Sequence, residues 1–401
     1  MGSSLMHDSS VEGRCSAGGG SDRRWQLGSG ALRRLERVAR GARPAKLALH
    51  RTPGQAPAFE DRRTMSSLVS GARISGTGRA LPARQVTNAE LASQLGSSHE
   101  WMVTRTGIHT RYFIGPGESN TSLALEASRA ALADAGVAPT ELDAIVFATL
   151  SPDMVFPGNG VLLQEALGVA PIPAIDVRNQ CSGFLYALSV AQAWVLSGMY
   201  RRVLVVGSEV HSTGLDMSPR GRNVSLLFGD GAGAVVVEAR TEESRGRGAL
   251  EPVELGADGR GARLLYCDRP GAAAHPSITV EDLEAGRHFA QMDGRPVFRR
   301  AVELLSEKVS AIIASHQLDP AQVVLVAHQS NRRINELVAQ RAAIPEARVM
   351  HTIEQWGNTT AGSIPMALDL ARRQGTVKPG DPVIMAAFGS GLTWGTALMW
   401  G

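Results

Sequence analysis

Residues 174–191 read AIDVRNQCSGFLYALSVA. Ala174–Val177 has the length and bounds of a strand, Arg178–Gln180 form a polar corner, and an apolar helix runs from Cys181 to Ser197. A second apolar run, Val203–Gly207, follows within a few residues and reads as a buried strand. Strand, helix and strand in this order, with runs apolar on both sides, require a sheet covered on both faces by helices. Reading outward, Leu123 to Ala135 has helical periodicity, DAIVFATL (143–150) is a further buried strand and GAVVVE (233–238) another.

The pattern then returns about 180 residues later. Helix 297–315 leads through Asp319-Pro320 into VVLVAH (323–328), as helix 123–135 leads through Ala138-Pro139 into 143–150. Ala187-Leu188 recur as Ala367-Leu368, and the strand at Val203 recurs at Val383. Identity is low but the register is constant, which predicts an internal duplication. The halves are taken as residues 65–245 and 246–401. A site built from loops of both would lie at their junction.

Composition narrows the classes. Of the 401 residues, 43% are hydrophobic and 20% charged, so a large core is expected. Apolar runs are only of strand length, so no membrane span is predicted. Three cysteines (Cys15, Cys181, Cys267) cannot build a disulfide framework, and a reducing cytoplasm is the expected compartment. The net charge of +3 is unevenly spread: residues 1–64 hold 12 Lys/Arg against 6 Asp/Glu, leaving 29 against 32 in the rest. The folded body therefore lacks a nucleic-acid footprint. Residues 1–64, rich in Gly, Ser and Arg, read as a disordered extension or an over-read start, with Met65 a natural beginning. A transit peptide or a partner-binding arm is the alternative reading. The ten histidines show no ligand-like spacing with cysteines or acids, so no metal site is expected.

Cys181 at a helix start is a candidate nucleophile, because unpaired backbone N–H groups there favour a thiolate and could stabilise an oxyanion. A buried structural cysteine is the competing reading. His328 emerges from the end of a buried strand, where open α/β sheets place ligands, or else is a structural histidine. Asn358, in QWGNTTAGS, is either a polar partner to these two or a turn and capping residue. FGSGLTWG (388–395) reads as a tight turn offering a backbone N–H.

An ordered set of motifs resembles one family: EWMVTRTGI (100–108), VFPGNG (155–160), DVRNQCSGFLYAL (176–188), LLFGDGAGAVV (226–236), QMDGRPVFRRAV (291–302), HQSNRRI (328–334), GNTTAGSIPMAL (357–368) and FGSGLTWG. From about Val69 onward the chain resembles β-ketoacyl-acyl-carrier-protein synthase III, a condensing enzyme of the thiolase superfamily. The resemblance implies a duplicated five-layered α/β/α/β/α fold and a Cys-His-Asn triad at Cys181, His328 and Asn358. It implies an oxyanion hole from the backbone N–H groups of Cys181 and Ser390. Trp101 and Arg105 match positions that bind the adenine and phosphates of CoA. Asn331 matches one lining the pantetheine channel. Arg299 and Arg333 match basic positions where the acyl carrier protein docks, though either would also suit a solvated helix face. Phe156 matches a residue that crosses a homodimer interface to close the partner's acyl pocket.

The implied reaction is a decarboxylating Claisen condensation of an acyl-CoA with malonyl-carrier protein through an acyl-cysteine, using CoA thioesters as substrates and no cofactor. Two features depart from the usual pattern. Ser390 replaces the middle glycine of a glycine triplet, and Arg178-Asn179-Gln180 replaces small residues before the cysteine. They keep open a related acyltransferase or specialised ketosynthase of secondary metabolism. A Cys-His hydrolase and a non-catalytic partner subunit are the remaining classes.

Overall fold

The computed structural model describes residues 71–240 and 246–401. The expectation for residues 1–64, and the exact join of the halves at residue 245, lie outside them.

Ten strands form one mixed sheet. In chain order they are β1 (Ala72–Ala80), β2 (Ala144–Ala148), β3 (Ala174–Val177), β4 (Arg202–Glu209), β5 (Gly231–Ala239), β6 (Ala249–Leu250), β7 (Glu254–Ala257), β8 (Val324–Ala327), β9 (Pro382–Gly389) and β10 (Thr393–Trp400). The principal helices are α1 (His99–Thr106), α2 (Asn120–Ala135), α3 (Asn159–Leu167), α4 (Gly183–Leu196), α5 (Gly294–Ser315), α6 (Arg332–Arg341) and α7 (Ser363–Arg373). Strand order is β8-β9-β10-β6-β1-β5-β4-β2-β3, with β7 on β10. The two-residue β6, which bonds both β1 and β10, joins what are otherwise two half-sheets.

The predicted repeat is present in the hydrogen-bond register. β2 pairs parallel with β4 through Ala144↔Val203, and β8 pairs parallel with β9 through Val324↔Val383. Each member of the second pair lies 180 positions after its counterpart. In both halves the latter strand then turns into an antiparallel neighbour, β5 or β10.

Side-chain alternation sorts the layers, because successive strand residues face opposite sides. Ala144, Val146, Val203 and Val205 of the first half and Val324, Val326, Val383 and Met385 of the second share one core with Leu185 and Leu188 of α4 and Ala367 and Leu368 of α7. The alternate residues Ile145, Phe147, Leu204 and Val206 pack outward on Leu123, Ala127 and Leu163 of α2 and α3. Leu325, Ile384 and Ala386 pack outward on Leu305, Val309 and Val338 of α5 and α6. The result is the expected five-layer order, with α4 and α7 as the central layer. Full burial on both faces explains why these strands are continuous apolar runs rather than alternating ones.

Candidate active site

Three loops meet where the central helices begin. Cys181 lies on a 3₁₀ turn, Gln180–Ser182, so α4 starts two residues later than expected, at Gly183. Gln180 holds the turn with a φ of 45°, in the left-handed region. The equivalent turn of the second half, Thr360–Gly362, precedes α7, and its Thr360 has a φ of 46°. Gly207, inside β4, permits this second turn to approach: a side chain there would stand 2.2 Å from the Ala361 carbonyl.

The Cys181 thiol is buried. Its own backbone N–H and that of Ser390 both favour the charged form of the sulfur. A hydroxyl chain fixes this arrangement: Ser182 Oγ lies 2.8 Å from Thr393 Oγ1, which donates to the Ser390 carbonyl at 2.9 Å. Ser390 is accommodated in place of glycine because it has no positive φ and its hydroxyl turns away, donating to the Leu265 carbonyl at 2.5 Å.

The expected depression of the thiol pKa is not found. Burial, with the charge of the buried Glu209 adding to it, pushes Cys181 up to about 12, against the opposing effect of the two N–H groups. The desolvation cost of a thiolate outweighs the short turn. Glu209 itself is pushed up to about 7 by burial, although it accepts from Thr149 Oγ1, Ser151 Oγ and the N–H groups of Leu150 and Ser151.

His328 follows β8 and is anchored by its N–H to the Ala386 carbonyl at 2.8 Å. Its Nδ1 lies 2.7 Å from Ser363 Oγ, and its Nε2 is buried with no hydrogen-bond partner among the described residues. Burial, then the neighbouring His211, pushes its pKa down to about 3, so the ring is neutral at physiological pH. Asn358 is bonded through its backbone to Leu227 and Gly229. Its Oδ1 accepts the Thr360 N–H at 2.8 Å, which turns the amide nitrogen away from that loop. Asn358 does not cap α7, whose N-cap is Gly362.

The remaining predicted residues fall in three places. Trp101 and Arg105 share α1, and the Arg105 guanidinium stands 4.4 Å from the indole centre. Asn331 caps α6 through Arg333 N–H and donates to the Arg105 carbonyl at 3.0 Å, so both ends of its amide bind protein. Arg299 and Arg333 are exposed on α5 and α6, with no ion pair among the described residues. Phe156 is 83% exposed beside Val155 (95%) and Met154 (49%), well apart from these groups in the chain.

Two residues escaped the sequence reading. Arg222 brings a second guanidinium to Trp101, 5.0 Å from the ring centre. His211 is buried against Phe228 with ring centres 4.5 Å apart. Its Nε2 lies 2.6 Å from Thr360 Oγ1, and burial pushes it down to about 3. Among the described residues no cluster of His, Cys, Asp and Glu is placed to hold a metal, and no helix is long and apolar enough to cross a membrane.

The loops around the starts of α4 and α7 thus hold a buried thiol, a neutral imidazole and a carboxamide. The models for the 3-oxoacyl-[acyl-carrier-protein] synthase III family and for its C-terminal region match residues 175–259 and 313–400. The β-ketoacyl-[acyl-carrier-protein] synthase III of Rhizorhabdus wittichii is 44% identical over 325 residues, covering 81% of this chain and 97% of that protein. The chain belongs to the β-ketoacyl-acyl-carrier-protein synthase III family. It is therefore a condensing enzyme, an acyltransferase of thiolase-like fold. The family's synthase III structure from Aquifex aeolicus is 36% identical with a TM-score of 0.73, covering 82% of this chain and all of that one. The priming β-ketosynthase of the R1128 polyketide pathway is similar at 35% identity and a TM-score of 0.74, covering 83% of this chain and 97% of that one.

Proposed function

We propose that the protein transfers an acyl group from acyl-CoA to Cys181 and condenses it with malonyl-acyl carrier protein, giving a 3-ketoacyl-carrier protein, CO2 and CoA. The observation that carries this reading is the buried Cys181 thiol, whose charged form the backbone N–H groups of Cys181 and Ser390 both favour. They would hold the oxyanion formed when sulfur attacks the thioester carbonyl. A thiol near 12 does not ionise beforehand. Its proton leaves with the departing CoA sulfur, which needs one to become CoASH.

In the second half-reaction, His328 and Asn358 donate to the malonyl thioester oxygen and stabilise the enolate left by CO2 loss. The neutral ring and the carboxamide suit this, because neither exchanges its donor role for an acidic one. The enolate carbon attacks the acyl-cysteine carbonyl, and the released thiolate takes a proton from solvent. Trp101, Arg105 and Arg222 are read as the adenine and phosphate site of CoA, and Asn331 as a residue beside the pantetheine arm. Arg299 and Arg333 are read as contacts for the acidic carrier protein. The exposed Met154–Phe156 segment is assigned to a homodimer contact that closes the partner's acyl pocket. The reaction draws on no cofactor, takes place in the cytoplasm and is divided between halves 65–245 and 246–401.

A specialised ketosynthase or acyltransferase is the second reading, favoured by Ser390, by Arg178-Asn179-Gln180 and by the likeness to a priming ketosynthase. Intact mass after mixing with acyl-CoAs from acetyl to dodecanoyl tests both. A single adduct absent from Cys181→Ala, discharged only by malonyl-carrier protein with CO2 release, is the expected result. Discharge without CO2 favours the second reading, and labelling of Cys181→Ala overturns the site.

A further inference from the structure

His328 offers one ring nitrogen to the protein and the other to the site, so the position of its proton decides whether it is a donor or an acceptor there. The protein contact is Ser363 Oγ, at the first turn of α7. That hydroxyl has one hydrogen and two acceptors within reach, His328 Nδ1 at 2.7 Å and the Thr360 carbonyl at 2.9 Å.

The claims on that hydrogen are unequal. The Thr360 carbonyl already accepts the backbone N–H of Ser363. The fully buried Gln329 presents its N–H to Ser363 Oγ at 3.4 Å, a long bond that still uses the oxygen as an acceptor. His328 Nδ1 has no other hydrogen-bond partner among the described residues. If the hydroxyl turned to Thr360, Nδ1 would have to carry a hydrogen, and Nε2 would be a bare acceptor with no protein donor near it. If it turns to Nδ1, the donors run in one direction, from Gln329 N–H to Ser363 O–H to His328 Nε2–H. Chains aligned in this way polarise one another favourably.

We propose that Ser363 is a positioning residue that holds His328 as its Nε2–H tautomer and so aims a hydrogen-bond donor at the malonyl thioester oxygen. Its role in the reaction rests on the function proposed above; the tautomer itself does not. In this state Nε2 is not a base for the Cys181 thiol, and it serves the decarboxylating half-reaction alone.

The test pairs a spectrum with kinetics on the full chain. Nitrogen-15 spectra of ¹⁵N-histidine-labelled protein, with His328 assigned by its loss in His328→Ala, should show Nε2 protonated and Nδ1 bare. Ser363→Ala should shift His328 to a mixture of tautomers. It should slow malonyl-carrier protein decarboxylation by roughly 10- to 100-fold, the range for losing a partner that orients a working side chain. Acylation of Cys181 should stay within about twofold of wild type, and Ser363→Thr, which keeps the hydroxyl, should recover most of the loss. A wild-type spectrum with the hydrogen on Nδ1 overturns the proposal, as does a Ser363→Ala protein that decarboxylates at the wild-type rate. The wild-type spectrum decides the tautomer even if Ser363→Ala does not fold. If it shows Nε2–H but wild type does not decarboxylate a malonyl thioester, the tautomer stands and the proposed reaction falls.

Discussion

Gly389→Ala places one methyl group against the nucleophile. The added carbon would lie 2.7 Å from Cys181 Cβ, 3.2 Å from its backbone nitrogen and 3.3 Å from Sγ. Carbon atoms in contact settle at about 3.5–4.0 Å, so a shift of roughly 1 Å is required. Neither side yields easily. Gly389 faces Thr393 across the β9–β10 turn, and the Cys181 turn is tied to the same Thr393 through Ser182. Overpacking of this kind costs about 1–3 kcal/mol of stability. The kinetic cost is larger, because the sulfur and the Ser390 N–H must stay in register, and a displacement of about 1 Å costs on the order of 10²-fold in rate. Rapid-quench intact mass would follow Cys181 acylation by acyl-CoA, with a thermal melt alongside. Gly214→Ala is the control, because its added carbon meets nothing within 4 Å. Acylation of Gly389→Ala within about threefold of wild type, with an unchanged melting temperature, would refute the reasoning.

Four further outcomes are expected. In a Cys15→Ser/Cys267→Ser background, iodoacetamide alkylation of Cys181 should keep rising with pH beyond 9, since the thiol sits near 12; a plateau between pH 8 and 9 would contradict that. Asn358→Ala should lose about 10²- to 10³-fold in malonyl decarboxylation while still forming the acyl-cysteine, measured by CO2 release against adduct mass. Arg222→Ala should raise KM for acyl-CoA by roughly 2- to 30-fold, the worth of a cation–π contact, and leave KM for a short pantetheine thioester unchanged. His211 is neutral in the native state and charges on unfolding below about pH 6.5, so its contribution to stability falls as pH drops below that value. Urea melts of His211→Leu between pH 6 and 5 should therefore show a slope shallower by about 1.4 kcal/mol per pH unit than wild type.

The sequence made the fold legible because both half-sheets are buried on two faces, leaving apolar runs such as IVFA at 145–148 and VLVA at 324–327 in constant register. It also located Cys181, His328 and Asn358 at element ends. The state of the thiol was not legible. A helix start is visible in the pattern, but the depth of burial and the buried Glu209 are products of packing. Arg222 was missed because its link to Trp101 spans more than a hundred residues and nothing local in RGRN marks it. His211 had a local signal, a histidine two residues past a buried strand, the same kind of position as His328. Asn331 shows a cap and a link to the Arg105 carbonyl, neither of which is marked in HQSNRRI.

The matched turns before α4 and α7 bear on the history of the protein. Position 180 answers to 360 and Cys181 to Ala361, with the same left-handed residue opening each turn. A single ancestral unit, pairing with a copy of itself, would have presented two equal turns and two equal pockets. Once the copies became one chain, each turn could be changed by separate mutations. One now carries a thiol; the other carries a methyl group at Ala361, between Thr360 and Gly362. The catalytic asymmetry is thus a consequence of linkage: a symmetric pair would have to mutate both turns together.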